Sequence, residues 1–317
     1  MGLISELSAC LPWQEEPWSK LVKQMHAEQL PHAILLTGVE HTGKARFAMA
    51  LARLLLCQQD QAQCNCGHCH ACVLSMSGSH GDFRSLQPEG TSRVIKVDQI
   101  RELVDFGTKT ASFGRRKVII LSPAESMNRA AANALLKLLE EPSEGTFIIL
   151  VCHRAQALPA TIRSRCQSVT FPMPKAELSL LWLDNLTGAR GESEEALLLA
   201  GGQVMLAASM YENAALGCAK KIQAGLDALA DGNHTLHEVG ALMADWPAEE
   251  VLQKLVGFLQ ELVRNMEHNA LAGPRGQNIF ALLDYVIQLQ HAVTSGANPN
   301  RQLLLDSLSA RFELVLT

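Results

Sequence analysis

Aromatic residues and excess positive charge are both scarce in this chain of 317 residues. Phe, Trp and Tyr together make up 5% of the sequence, and the formal net charge is -5 at pH 7. A protein that binds single-stranded nucleic acid by itself stacks bases on aromatic rings and attracts the phosphate backbone with a basic surface. The sequence therefore disfavours a free-standing zinc-containing nucleic-acid-binding protein, and any contact with DNA must be local or shared with partners.

Long apolar runs are also missing. The charge-free apolar stretch at residues 196–211 is interrupted by Gly201-Gly202 and is too short to span a bilayer. The first 13 residues lack the basic start and the apolar centre of a secretory signal. We therefore expect a cytoplasmic protein without membrane contact, long enough for about two or three domains.

Cysteine, in contrast, is abundant. Five of the nine cysteines fall within the sixteen residues 57–72, and the other four are scattered. Disulfides are rare in reducing compartments, so the clustering indicates a metal site, with unligated reduced thiols as the alternative.

The spacing within the cluster is typical of structural zinc. Cys66, Cys69 and Cys72 form two overlapping C-x-x-C steps, and Cys57 lies at the end of the preceding helix. Four thiolates complete a tetrahedral shell around Zn²⁺ and leave no position for water, so the role would be structural. A loop of this size has too little apolar content to fold by itself, which makes a metal its organiser. Other candidate ligands remain in the same loop: Cys64, His68 and His70.

Short apolar runs alternate with helical patterns over the first 171 residues. Strands separated by helices predict parallel pairing with right-handed crossovers, which is an α/β fold. The strands are predicted at residues 33–37, 117–121, 146–152 and 167–171.

The pattern changes at Phe171-Pro172-Met173-Pro174, and only helical patterns follow. We predict an α/β domain over residues 1–172 with a zinc module at about 57–72, a small helical lid over 173–212, and an all-helical domain over 213–317. The last helix is predicted at Arg301 to Leu316, after a loop rich in Gly, Asn and Pro.

A glycine loop joins the first predicted strand to the following helix. Gly38 and Gly43 allow backbone N–H groups to face phosphates, and Lys44 would reach the outer phosphates of a nucleotide. Ala45, however, occupies the position of the Ser or Thr that binds Mg²⁺. We expect no ATP turnover at this loop, and either weak nucleotide binding or none.

The second predicted strand also lacks what hydrolysis requires. Ser122 and Pro123 stand at its end, where an acidic residue would hold Mg²⁺ and another would position water. Glu125 and Glu140 are near in sequence, but neither is expected at the tip of the strand.

Ser164-Arg165-Cys166 precedes the last predicted strand. By itself, Arg165 would be interpreted as a surface arginine paired with a carboxylate. Together with the segments 133–142 (NALLKLLEEP) and 161–166 (TIRSRC), the glycine loop and the cysteine insertion, it gives a more specific pattern. This pattern resembles the AAA+ subunits of the bacterial DNA polymerase III clamp loader. The resemblance covers the first domain and implies an AAA+ RecA-like parallel sheet, with the helical remainder as lid and collar.

The departures from this family's motor subunits, gamma and tau, point to a member that does not hydrolyse ATP. Motor subunits keep a magnesium-binding hydroxyl and an acidic strand end, and this chain has neither. Cys152-His153 also replaces the hydroxyl residues usual after the third predicted strand, and Met205 replaces a lid arginine that senses nucleotide. A motor subunit remains the alternative, because Gly43-Lys44 is intact.

The resemblance implies a role for individual residues. Arg165 would be an arginine finger that reaches the ATP of a neighbouring subunit and stabilises transition-state charge in trans. The implied partners are gamma or tau and delta subunits in a heteropentamer held by the collar, and through that complex a sliding clamp and primer-template DNA. Gly38, Gly43 and Lys44 match the phosphate loop, although a non-hydrolysing subunit does not need them. The family's zinc ligands correspond to Cys57, Cys66, Cys69 and Cys72, but not to Cys64.

Overall fold

The structure, a computed structural model, divides into two compact units, Met1–Ala208 and Ser209–Thr317. The predicted lid at 173–212 lies mostly within the first unit, and the division into three domains stays a prediction. The start of the predicted all-helical domain, at 213, is outside the described residues. These are 10–59, 63–90, 92–188, 190–212, 215–231, 233, 235–244, 246–266, 268–294 and 299–316.

A five-stranded parallel sheet forms the centre of the first unit. The strand order is β2-β3-β4-β1-β5, so the strand that leads into the glycine loop lies between two neighbours inside the sheet. The predicted α/β class with a parallel sheet is confirmed. The strands are β1 Ala33–Gly38, β2 Phe83–Leu86, β3 Lys117–Leu121, β4 Thr146–Cys152 and β5 Gln167–Phe171.

Helices cover both faces of this sheet because successive residues of a strand point to opposite faces. Ile34 and Leu36 of β1 pack into one core, and Ala33 and Leu35 into the other. The first core is completed by α1 and α2, and the second by α4 and α5. The helices are α1 Glu15–His26, α2 Lys44–Leu56, α3 His70–Met76, α4 Val97–Gly107, α5 Arg129–Glu140, α6 Ala160–Arg163, α7 Ala176–Thr187, α8 Arg190–Leu199 and α9 Val204–Glu212.

The four predicted strands are confirmed, but the fifth strand, β2, was not predicted. This strand has four residues and, among the described strands, pairs with β3 at the edge of the sheet. Arg84 and Ser85 are exposed, so the strand lacks the continuous apolar run of a buried parallel strand. An edge strand of this length carries little periodic signal.

The second unit consists of helices around one apolar core, as predicted for the carboxyl-terminal region. Helix α12 begins directly after Pro247 and buries Val251, Leu255 and Leu259 in this core. The last helix lies where it was predicted, but residues 295–298 of the preceding loop are outside the described part. The helices are α10 Leu216–Ala230, α11 Leu236–Leu242, α12 Ala248–Asn265, α13 His268–Leu271, α14 Pro274–Thr294 and α15 Arg301–Leu316.

A glycine at the end of α4 allows close contact with α5, and it provides a test of the packing. A Cβ at Gly107 would lie 2.6 Å from Leu138 Cδ1 and 3.1 Å from Ile119 Cδ1. We expect Gly107→Ala to lower the free energy of unfolding by about 1–3 kcal/mol through overpacking, as measured by urea denaturation. Gly257→Ala is the control: Gly257 lies within α12 with nothing inside 4 Å of its Cβ position, and the change should stabilise by about 0.5–1 kcal/mol. Equal effects at the two sites would contradict this packing of α4 on α5.

Candidate functional site

The glycine loop and the ends of two other strands meet at one edge of the sheet. Thr37 of β1 pairs with Cys152, the last residue of β4, and Leu121 at the end of β3 pairs with Leu150. Because the strands are parallel, their carboxyl ends lie at the same edge, which is where open α/β sheets bind ligands. The glycine loop therefore lies at the edge of the sheet where folds of this class bind ligands, and the predicted site at Gly38, Gly43 and Lys44 stays a prediction.

Lys44 is turned onto its own loop. Its side chain is buried, and Nζ donates hydrogen bonds to the carbonyl oxygens of Gly38, at 2.8 Å, and Val39. A third contact reaches Thr42 Oγ1 at 3.5 Å. Burial lowers the pKa of Lys44 to about 8, although the nearby charge of Glu40 acts in the opposite direction. The ammonium group thus takes its hydrogen-bond partners from the loop that would bind phosphate.

A segment before α1 covers the same loop. Trp13 Nε1 and Gln14 Nε2 donate to the carbonyl oxygen of Thr42 at 3.0 and 3.1 Å. Leu11 is buried there, and a Cβ at Gly43, where φ is +87°, would lie 2.4 Å from Leu11 Cδ1. Sequence reasoning missed these contacts, since nothing local in the sequence marks a segment that packs on a loop about 30 residues away.

Met205, which the resemblance places where motor subunits carry a nucleotide-sensing arginine, also contacts the loop. Its backbone N–H donates to the carbonyl oxygen of His41 at 3.1 Å. This contact joins the start of α9 to the glycine loop through backbone atoms.

A carboxylate just beyond the end of β3 contacts the backbone after β4. Ser122 is buried after β3, and Glu125 lies in a short 3-10 turn just beyond it. Glu125 Oε1 accepts hydrogen bonds from the backbone N–H groups of His153 at 2.9 Å and Arg154 at 3.2 Å. Burial, together with the charge of Glu125, raises the pKa of Cys152 to about 12, so this thiol stays protonated. The carboxylate of Glu125 therefore fixes the backbone after β4.

Four cysteines converge at the other end of α2. Cys57 follows the last residue of α2, Cys66 lies in the loop, Cys69 is the N-cap of α3, and Cys72 lies in its first turn. All four Sγ atoms lie within 4.8 Å of one another, and those of Cys66 and Cys72 are 3.9 Å apart. A tetrahedral zinc with Zn–S bonds of about 2.3 Å separates its sulfurs by about 3.8 Å, so the group has suitable dimensions.

Backbone N–H groups in this cluster point at the sulfurs. The N–H of Cys66 donates to Cys57 Sγ at 3.4 Å, that of Cys69 to Cys66 Sγ at 3.3 Å, and that of Cys72 to Cys69 Sγ at 3.4 Å. Hydrogen bonds of this kind favour the thiolate form that metals bind. Donor set and surroundings therefore fit a metal ion.

The other candidate ligands in the loop do not join this group. Among the described residues, Cys64, His68 and His70 are not part of the four-sulfur cluster. His68 Nδ1 instead lies 2.8 Å from the carbonyl oxygen of Cys66 on the exposed side. All nine cysteines are in the described part of the chain, and none forms a disulfide.

Arg165 lies just after α6 and is paired with a carboxylate of the same chain. Its Nε donates to Glu140 Oε1 at 2.7 Å, and its Nη2 contacts the same oxygen. Its Nη1 donates to the carbonyl oxygen of Thr161 at 3.0 Å. The side chains of Arg165 and Glu140 are 37% and 49% exposed, so the guanidinium is within reach of another molecule.

A family model described as "DNA polymerase III, delta subunit" matches residues 13–175, about half of the chain. The protein named DNA polymerase III subunit delta' in Pseudomonas aeruginosa is 37% identical over 94% of this chain and 95% of its own length. The chain belongs to the family of DNA polymerase III delta' subunits. A delta' subunit of Escherichia coli is 30% identical over 95% of both chains.

Membership in the delta' family confirms the predicted resemblance to the bacterial DNA polymerase III clamp loader. Among solved structures, a gamma subunit-related protein of Thermotoga maritima is similar over 94% of this chain, with 20% identity and a TM-score of 0.47. A likeness this distant says nothing about activity. Over the described residues, no helix of this delta' family member has the length and hydropathy needed to cross a membrane.

Proposed function

We propose that this chain is the non-hydrolysing subunit of a clamp loader, which helps load a sliding clamp on primed DNA. The observation that carries the proposal is the contrast between the glycine loop of this chain and its Arg165. The glycine loop is covered and its lysine is bound to Gly38 and Val39, whereas Arg165 is at the surface. A chain with these features contributes to nucleotide chemistry in a neighbour and performs none itself.

Phosphate binding at the glycine loop would require existing contacts of the loop to be broken. Lys44 would have to leave two carbonyl oxygens, and Leu11 and Gln14 lie directly against Gly43. Without a hydroxyl at Ala45 or an acid at Ser122, no Mg²⁺ is held to neutralise the charge that develops on the phosphoryl group. ATP is therefore bound weakly or not at all by this subunit.

Arg165 would act on an ATP molecule held by a neighbouring motor subunit. In phosphoryl transfer, charge spreads over the oxygens of the transferred group, and an arginine supplied in trans stabilises that charge. The guanidinium suits this role because it is always charged and its N–H groups match two phosphate oxygens. The catalytic Mg²⁺ and the phosphate-binding lysine would belong to the neighbour.

The four cysteines would hold a structural zinc ion. Cys57, Cys66, Cys69 and Cys72 would supply the ligands, and the ion would tie the end of α2 to α3. Closed all-sulfur coordination gives it no part in hydrolysis.

Family membership supports a proposal for the wider assembly. The partners would be gamma or tau and delta subunits, with the sliding clamp and primer-template DNA contacted through the complex in the cytoplasm. Residues 213–317 would form the collar that joins the subunits, and residues 173–212 the lid.

Nucleotide binding by the isolated chain separates this proposal from the motor-subunit alternative. We expect calorimetric titration with Mg-ATP to show no binding tighter than about 1 mM. We also expect Lys44→Ala to leave ATP hydrolysis of the reconstituted loader within about twofold of the wild type, because no catalytic contact of Lys44 is lost. Micromolar binding that Lys44→Ala abolishes would favour a motor subunit.

A further inference from the structure

We propose that Glu140 is a positioning residue for Arg165, which holds the guanidinium in place while leaving N–H donors for a phosphate. The inference rests on the proposed function, in which Arg165 serves the ATP site of a neighbouring subunit.

The backbone around Arg165 is anchored on both sides. Ile162 is fully buried in the core beneath α5, and the N–H of Arg165 donates to its carbonyl oxygen at 3.1 Å. Cys166, on the other side, packs against the same core. The Cα position of Arg165 is therefore fixed, and only its long side chain needs a further restraint.

Glu140 supplies that restraint from a rigid element. It is the last residue of α5, and the two residues before it, Leu138 and Leu139, are buried in the core. Its Oε1 receives both Nε and Nη2 of Arg165, which fixes the plane of the guanidinium along one side. Because exposed ion pairs contribute little to stability, the main effect of this pair is on orientation.

The remaining donors are the ones a phosphate needs. A guanidinium has five N–H groups. Glu140 takes two and the carbonyl oxygen of Thr161 takes one, which leaves one on Nη1 and one on Nη2. Two terminal N–H groups can bind two phosphate oxygens at once, so Arg165 can keep its contact with Glu140 while it binds.

Removal of the charge at residue 140 should slow ATP hydrolysis by the loader without weakening its binding of ATP. The test uses a loader reconstituted from motor subunits, a delta subunit and this chain, and it measures ATP hydrolysis stimulated by the clamp and primed DNA. We expect Glu140→Gln to lower kcat about tenfold with KM for ATP unchanged, because a small displacement of a catalytic group has effects of this order. The matched control is Glu141→Gln, which changes the adjacent exposed carboxylate and should match the wild type.

A double-mutant cycle separates positioning from a general structural role. If Glu140 acts through Arg165, then Glu140→Gln should cause no further loss in an Arg165→Ala background. An equal loss in both backgrounds would mean that the change damages the subunit in another way, and would overturn the proposal.

The other outcomes are also decisive. If Arg165→Ala slows the loader but Glu140→Gln matches Glu141→Gln, the positioning role is wrong and the proposed function stands. If Glu140→Gln raised kcat, the ion pair would be holding Arg165 away from its catalytic position. That result would also overturn the positioning role of Glu140. If Arg165→Ala itself changes nothing in an intact assembly, the proposed function fails and the inference fails with it.

Discussion

Arg165→Ala should lower the stimulated ATP hydrolysis of the reconstituted loader by about two orders of magnitude or more. An arginine finger is worth about 10³–10⁵ in rate at the site it serves, and a cycle that passes through several ATP sites runs no faster than its slowest one. The KM for ATP should change little, because the neighbour's own loop and Mg²⁺ hold the ground state.

Two variants make this result specific. Arg163→Ala removes an exposed arginine at the end of α6, two residues before Arg165, and should leave turnover unchanged. Arg165→Lys keeps the charge but loses the planar pair of terminal N–H groups, so it should recover only part of the rate. Size-exclusion chromatography checks that each variant still assembles. Unchanged turnover in an assembled Arg165→Ala loader would leave Arg165 as a surface partner of Glu140 and nothing more.

Cys72→Ser should remove bound zinc and destabilise the first unit. Elemental analysis of the wild type should give about one zinc ion per chain, and the variant should give none, because three thiolates and a hydroxyl form a much weaker site. The binding energy of a structural zinc is also folding energy, so we expect the melting temperature to fall by about 10 °C. Cys72 is buried at the start of α3, so the loss acts directly on the packing there.

Cys64→Ser is the matched control for the zinc experiment. Cys64 lies in the same loop but outside the four-sulfur group, so this variant should keep its zinc and its melting temperature. Loss of metal from Cys64→Ser, or a wild-type chain that binds none, would contradict the assignment of Cys57, Cys66, Cys69 and Cys72.

The sequence predicted the sheet wherever strands are buried on both faces. β1, β3 and β4 are continuous apolar runs with turn or helix signals after them, and such runs have few other structural solutions. β2 was not predicted because an edge strand of four residues, two of them exposed, lacks the length and the continuous apolar pattern by which a buried strand is recognised. The C-x-x-C spacing likewise predicted a metal site, whereas the choice of Cys57 over Cys64 depends on how the loop folds back on α2.

Contacts between distant segments could not be predicted from the sequence. Gln14 reaches Thr42 across 28 positions, and Arg165 reaches Glu140 across 25, through side chains that carry no periodic signal. Glu125 was noted in the sequence but not expected at the strand ends, because the 3-10 turn that returns it to the backbone after β4 is a feature of three-dimensional packing.

The most direct test of the account is a structure of the assembled loader trapped with ADP and a metal fluoride that mimics the transferred phosphoryl group. We predict that Arg165 lies within hydrogen-bond distance of the fluoride bound in the neighbouring subunit, with no nucleotide between Gly38 and Lys44. A nucleotide bound at Lys44, or an Arg165 that contacts only its own chain, would contradict the account.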